Sequence, residues 1–281
     1  MWIKARQGGA GDNGDMDTIA VSTMRSAARV GWREVTMPKE HGSWALAFEP
    51  IALGLLVAPS VTGGWIAAMV LAGFFARRPL KIAWRERIGA RAAAARRSLA
   101  VCAGVGLVAL AAAVREGGAA WLVWLVPFAA AGGVFLAFDL KNGGREESAE
   151  IAGAAAFSTV AAAIAAAGGW TAMASLALLV AMAGRAVPAV MFVRACVRGG
   201  KTGEYRAAAP LAAGAVVTIV AAGFAWRGAL PATVPVAFGL FLARAGVRLL
   251  RPTAIRAKTL GFQELAIGLA YLSAVAATWP R

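Results

Sequence analysis

The chain has 281 residues, of which 60% are hydrophobic, and it carries a formal net charge of +15. Soluble domains are about 45–50% apolar, so this composition excludes an ordinary soluble globular protein. A membrane-spanning helix takes roughly 20 residues, and the length therefore fits about nine spans with short loops. The single histidine excludes a histidine-based metal cluster within one chain, and we interpret Cys102 and Cys196 as small apolar residues within helices.

The apolar segments predict an all-α, polytopic transmembrane bundle. The first 35 residues are polar and lack the order of a signal peptide, so we predict a disordered cytoplasmic tail over 1–35 and a nine-helix domain over 36–281. Several helices contain proline, which predicts kinks. The predicted helices cover roughly 43–60, 62–76, 98–114, 119–138, 150–168, 170–193, 208–226, 229–247 and 262–279.

Lysine and arginine are distributed unequally between alternate loops. One set of loops and the first tail carry twenty-five of them, whereas the other side carries only Arg115, Arg227 and Arg281, and Arg185 lies within the sixth helix. The positive-inside rule then predicts a cytoplasmic N-terminus and an external C-terminus, which agrees with nine helices. Because this rule already accounts for the positive charge, we reject nucleic-acid binding and expect membrane lipid as the partner.

Two titratable residues near the start of the first helix are candidate acid–base groups. His41 follows Glu40 at the predicted membrane boundary, where an interfacial anchor and helix cap is the alternative reading. Glu49 is about two turns inside the span. A carboxylate there is costly unless it faces a cavity or a partner, which indicates either function or a salt bridge that only fixes packing.

The loop predicted between the second and third helices is strongly basic. Arg77 and Arg78 emerge directly from the second helix, so they are candidates to face a cavity, although the positive-inside rule alone also explains them. The alanine-rich residues 89–97 predict a short amphipathic helix at an anionic lipid surface.

An acidic cluster follows the fourth helix. Asp139 and Lys141 precede Glu146 and Glu150, which share one helical face by their spacing. The acidic residues suit the positive end of the next helix dipole, and the alternative is a site for Mg²⁺ or a cationic substrate.

Further arginines follow in the second half of the chain. Arg185 lies deep in the sixth helix and must pair, for which Glu49 or Glu150 could serve, while Arg194 and Arg198 are one turn apart. Glu264, near the predicted start of the ninth helix, is interpreted as a favourable charge at a helix N-terminus.

Three motifs resemble the YwiC-like family of bacterial membrane proteins. Residues 38–44 read Pro-Lys-Glu-His-Gly-Ser-Trp, residues 77–80 read Arg-Arg-Pro-Leu, and Val187-Pro188 precedes Val193-Arg194. The resemblance covers nearly all of residues 36–279. It implies a multi-pass protein of the bacterial inner membrane, and it implies topology more than activity.

The layout of nine helices is also similar to that of the UbiA prenyltransferase superfamily. Those enzymes hold Mg²⁺ on aspartate-rich motifs after the second and sixth helices, whereas this chain has arginines there and no aspartate. Arginine binds anionic groups directly through paired hydrogen bonds. The resemblance therefore implies an anionic lipid or isoprenoid headgroup held without the usual Mg²⁺, in a cavity open to the cytoplasm.

The sequence leaves three functions open: a UbiA-like enzyme or lipid-binding protein, a transporter that uses Glu49 and Arg185, and a non-catalytic subunit of a membrane complex. It does not specify an oligomeric state. The candidate acid–base residues are His41, Glu49 and Glu150, and the candidate ligand-binding residues are Arg77, Arg78, Asp139, Lys141, Arg185, Arg194 and Arg198.

Overall fold

The computed structural model describes residues 31–37, 41–141, 143–144, 146–251 and 256–279, in which all regular structure is helical. A short 3₁₀ segment, Ala120–Trp124, precedes α5. The helices are α1 (Trp32–Thr36), α2 (His41–Val57), α3 (Val61–Arg85), α4 (Ala90–Gly117), α5 (Leu125–Leu140), α6 (Glu147–Ala167), α7 (Ala172–Thr202), α8 (Ala208–Trp226), α9 (Thr233–Leu250) and α10 (Ala257–Thr278).

All nine apolar segments predicted from the sequence are helical, which confirms the all-α bundle. Seven stretches are long and apolar enough to cross a membrane: α4, the continuous stretch Ala120–Leu140, and α6 to α10. The apolar part of α2 is shorter, at Trp44–Val57, and α3 carries three arginines and a lysine within its length. The predicted orientation in the membrane stays a prediction.

Several predicted helix ends were wrong, and the largest differences lie on the side of the basic loops. The second helix continues from the predicted residue 76 to Arg85, the third begins at Ala90 rather than 98, and the sixth ends at Thr202 rather than 193. The predicted interfacial helix over 89–97 is therefore the first part of α4. Hydropathy marks where a helix leaves the apolar layer, whereas backbone hydrogen bonding continues into the polar boundary.

The central helix is α6, which packs against α2, α3, α5 and α7. Five consecutive side chains, from Ala161 to Ala165, are fully buried. Small residues let neighbouring helix backbones approach closely in an apolar environment. Gly63 of α3 shows this closeness, because a Cβ there would lie 2.9 Å from the Ile164 side chain.

The bundle has two chemically different ends. At one, which we call the aromatic end, Trp170 stacks on Trp279 at 5.7 Å between ring centroids, and the hydroxyls of Thr233 and Thr278 lie 2.7 Å apart. The opposite, charged end contains the last turns of α3, α5 and α7 and the first turns of α4 and α6.

The short helix α1 lies at the charged end. Its residues Val35 and Thr36 are fully buried, and Val35 packs against Ile82 of α3 and Ala95 of α4. The boundary predicted at residue 35 therefore falls inside a packed helix. Residues 1–30 of the tail predicted over residues 1–35 lie outside the described residues.

Candidate functional site

At the charged end, a buried carboxylate holds two cationic side chains. Asp139, in the last turn of α5, has a side chain that is only 3% exposed. Arg77 donates from Nε to Oδ2 at 2.9 Å, and Lys81 donates from Nζ to Oδ1 at 2.8 Å. We call these three residues the Asp139 site. Its two cations remain 21% and 29% exposed, so they lie at the surface while their shared counter-ion does not.

Helical spacing assembles the Asp139 site. Arg77 and Lys81 are four residues apart and share a face of α3, as Phe135 and Asp139 share a face of α5. The guanidinium of Arg77 lies over the Phe135 ring at 4.6 Å from the centroid. The turn after α5 closes on the carboxylate, because a Cβ at Gly144 would be only 2.5 Å from Asp139 Oδ1. Glycine at this position therefore lets the chain pass close to the carboxylate.

A second ion pair lies next to the Asp139 site. Arg194 of α7 contacts Glu150 of α6 at 2.8 Å, with both side chains about one third exposed, at 30% and 33%. Gly153, one turn after Glu150, lies against the Phe135 ring, since a Cβ there would be 3.3 Å from it. Phe135 therefore packs against both Arg77 of the Asp139 site and the turn of α6 that follows Glu150.

The remaining predicted residues of the charged end lie apart from these pairs. Arg78 donates a hydrogen bond to the backbone carbonyl of Met37. Lys141 and Arg198 are exposed. His41 is the first residue of α2, and its side chain lies outside the described part of the structure.

Deeper in the bundle, four charged side chains from four helices meet in what we call the interior charge cluster: Glu49, Arg185, Arg244 and Glu264. Arg185 is 5% exposed, and its Nη1 lies 3.4 Å from Glu264 Oε2. Its Nη2 donates to the Glu264 backbone carbonyl at 3.0 Å. Arg244 donates from Nη1 to Glu264 Oε1 at 2.5 Å. Two arginines therefore bracket one carboxylate.

Glu49 can reach this cluster because the residue of α10 that lies against its carboxylate is a glycine, Gly268. A Cβ on Gly268 would collide with the Glu49 carboxylate and would lie 3.3 Å from Arg185 Nη2. Both charged groups therefore pack against the same bare stretch of α10 backbone. Arg185 is roughly 20 Å along α7 from its first residue, which is well inside a hydrocarbon layer of about 30 Å.

A narrow cavity of about 40 Å³ adjoins the cluster. Arg185, Arg244 and Glu264 line it, together with aromatic side chains that include Phe192 and Phe241. Arg244 Cζ lies 4.9 Å from the centroid of the Phe192 ring, and Arg185 Cζ lies 5.5 Å from that of Phe241. The cavity lies between α7, α8, α9 and α10, and the side chains that line it do not include the predicted ligand-binding residues Arg77, Arg78, Arg194 and Arg198.

The sequence-based pairing of the interior charges was partly wrong. Glu150, one of the two partners suggested for Arg185, pairs with Arg194 instead. Glu264 was interpreted as a charge at a helix N-terminus, but α10 begins at Ala257, so Glu264 is two turns inside it. The spacing of Arg244 and Glu264 in sequence gave no signal for their contact, because only the crossing of α9 and α10 brings them together.

The acidic segment after α5 does not form a metal site in the described residues, which contain no group of three or more His, Cys, Asp or Glu side chains able to hold a metal ion. Asp139 and Glu150 are instead bound to cationic side chains. Glu147 and Glu150 occupy the first turn of α6, where the helix dipole favours negative charge.

The fold and the buried charges define an integral membrane protein. Seven stretches can cross a membrane, and α4 exposes an apolar face that includes Val101, Val105 and Val108. The model of a family described as YwiC-like protein matches residues 37–165, which confirms the resemblance over that part of the chain. No curated protein and no solved structure matches this chain. The matched residues include the Asp139 site and Glu49 but not Arg185, Arg244 or Glu264.

Proposed function

We propose that the protein binds the anionic headgroup of a membrane lipid or isoprenoid phosphate at its charged end. The observation that carries this proposal is the Asp139 site: a carboxylate with a 3% exposed side chain holds Arg77 and Lys81, which remain 21% and 29% exposed. An almost fully buried counter-ion fixes the two cations at the boundary where headgroups lie. Asp139 is therefore a positioning residue in this proposal.

The positive-inside rule accounts for the number of cations at this end but not for their arrangement. Orientation in the membrane needs only that Lys and Arg lie in the right loops, with no ordered partners. Arg77 is instead held by Asp139 and by the Phe135 ring. Guanidinium and ammonium groups held in this way suit phosphate oxygens, which accept charge-assisted hydrogen bonds.

The resemblance to the UbiA superfamily supports a headgroup site at this same end of the bundle. Arg77 and Arg194 lie towards the C-terminal ends of α3 and α7, the second and sixth predicted membrane helices, and those enzymes carry aspartates for Mg²⁺ after the corresponding helices. Positive groups there bind phosphate directly. The proposed function is binding, and His41, Glu49 and Glu150 stay candidate acid–base groups.

Native mass spectrometry of the full-length protein in detergent tests the proposal. The probes are an isoprenoid monophosphate, an isoprenoid diphosphate, phosphatidylglycerol and the zwitterionic phosphatidylethanolamine. We expect the wild-type protein to retain the anionic probes. In the double variant R77Q/K81Q, we expect the retained fraction of these probes to fall at least tenfold. The relative retention of the three anionic probes distinguishes an isoprenoid ligand from a glycerophospholipid.

The matched control is R87Q/R97Q, which removes the same charge from two exposed arginines at the same end. We expect this control to retain the anionic probes. Equal loss in both double variants would show diffuse electrostatic attraction and overturn the proposed site, as would unchanged retention in R77Q/K81Q.

A further inference from the structure

The interior charge cluster contains a buried donor that the helix packing leaves unused. Arg185 is 5% exposed, and its Nε–H has no acceptor within the described part of the chain. A buried donor without an acceptor costs about 1–3 kcal/mol, so this group favours a ligand that accepts a hydrogen bond. Arg185 and Arg244 both line the adjacent cavity. A ligand in the cavity would therefore meet two guanidinium groups.

The size of the cavity restricts the class of ligand. About 40 Å³ is enough for a water-sized species, which needs roughly 10–15 Å³ by this kind of measure. It is too small for a lipid headgroup or a diphosphate. Two guanidinium groups against the single carboxylate of Glu264 in the lining disfavour a cation there. A small monovalent anion fits the size and the donors.

Charge balance adds a second requirement. Arg185 and Arg244 are balanced by Glu49 and Glu264, so an added anion leaves the cluster with one net negative charge. A net charge is unfavourable in an apolar interior. One proton on a carboxylate restores neutrality.

Protonation of Glu49 weakens fewer contacts than protonation of Glu264 would. Glu264 accepts from Arg244 and pairs with Arg185, so its protonation would weaken both contacts. No hydrogen bond to Glu49 is present among the described residues. The titratable and charged groups that face Glu49 are Arg185 of α7 and, from α10, Glu264 and Tyr271. The neighbouring helix α6 packs on α2 through Ile164 and small side chains, which carry no charge.

We propose that the cavity beside Arg185 and Arg244 binds a small monovalent anion, such as chloride or formate, together with a proton on Glu49. The site uses different residues from the Asp139 site and is independent of the proposed headgroup binding. A proton and an anion bound together are electroneutral, which is the condition for moving an ion pair through an apolar bundle. The cluster therefore favours a transport function over a purely structural one.

Calorimetric titration of the full-length protein in detergent tests this site. Sodium chloride and, separately, sodium formate replace sodium gluconate at constant ionic strength, at successive pH values one unit apart. We expect saturable binding whose dissociation constant rises about tenfold per pH unit once Glu49 is ionised, because anion and proton binding are linked. Absence of saturable binding of either anion at every pH would overturn the proposal.

Variants separate the roles of the charged groups. Glu49→Gln mimics the protonated acid, so we expect tight anion binding that no longer depends on pH. The matched control Glu116→Gln, an exposed acid paired with Arg115 at the aromatic end, should keep the wild-type pH dependence. A Glu49→Gln protein that keeps the wild-type pH dependence would contradict the proton site.

The arginine that supplies the unused donor needs a substitution that preserves folding. Arg185→Lys retains the positive charge opposite Glu264 but removes the Nε–H donor. We expect at least tenfold weaker anion binding with a melting temperature close to that of the wild type. Unchanged anion affinity in Arg185→Lys and in Arg244→Gln would show that the anion, if bound, lies elsewhere.

Discussion

The Asp139 site and the interior charge cluster use the same arrangement in two environments. In each, one carboxylate lies between two cationic side chains. At the charged end both cations come from α3 and are 21% and 29% exposed, whereas in the interior they come from α7 and α9 and are 5% and 31% exposed. Only the interior cluster has a second carboxylate, that of Glu49. A bundle can present excess positive charge at a polar boundary, but in its apolar interior it must balance each charge.

The largest expected effect comes from removing the central carboxylate of the interior cluster. Glu264→Gln removes a carboxylate partner of Arg185, which is only 5% exposed and cannot rehydrate, and we expect this to lower the free energy of unfolding by about 3–5 kcal/mol. Reversible unfolding in mixed micelles measures the change. The control Glu116→Gln should be indistinguishable from the wild type, and equal stability of the two variants would show that the interior charges do not depend on Glu264.

The corresponding change at the charged end should lower the free energy of unfolding by less. Asp139→Asn keeps the shape of the side chain but removes the charge between Arg77 and Lys81. Those cations can rehydrate because they are partly exposed, so we expect a loss of about 1.5–3 kcal/mol in the same unfolding assay. We also expect weaker retention of anionic lipid, since the cations lose their fixed positions. A loss as large as that of Glu264→Gln would contradict the distinction between the two environments.

A methyl group tests how closely the interior cluster is packed. Gly268→Ala places a Cβ against the Glu49 carboxylate and Arg185, and overpacking of this kind costs about 1–3 kcal/mol. Gly261→Ala is the matched control on the same helix, because a Cβ there meets nothing within 4 Å. It should be neutral or stabilising by up to about 1 kcal/mol. If the two alanine variants are equally stable, Glu49 does not rest against α10.

The smallest effect is expected for the outer ion pair. Glu150→Gln breaks its contact with Arg194, but both side chains are about one third exposed, and such pairs contribute under about 1 kcal/mol. Thermal unfolding followed by circular dichroism should show little change. A loss well above that range would mean that Glu150 supports the interior more strongly than its exposure indicates.

Hydropathy was sufficient for the existence of all nine predicted helices but not for several of their ends. The basic residues Arg77, Lys81 and Arg194 were expected in loops or at helix exits, and they lie within helices. Because charged side chains at the polar boundary do not interrupt backbone hydrogen bonds, a helix can continue past the last apolar residue. This extension places Arg77 and Lys81 on one face, opposite Asp139.

The intramembrane positions of Glu49 and Arg185 also followed from the sequence, because a charge within an apolar segment is conspicuous. The charged partners of these two residues did not follow from the sequence. Glu264 was assigned to a helix start, and the pairing of Arg185 was divided between Glu49 and Glu150. No local spacing relates α7, α9 and α10, so the contact among Arg185, Arg244 and Glu264 depends on how those helices cross.

The sequence by itself determined a helical membrane protein and the resemblance to the YwiC-like family, because both depend on local composition and short motifs. The tertiary structure decided which carboxylate neutralises which cation. It also decided that Gly268 admits Glu49 to the interior cluster and that a small cavity forms beside Arg185. These features depend on distances between side chains far apart in the chain, which helix packing sets and hydropathy does not encode.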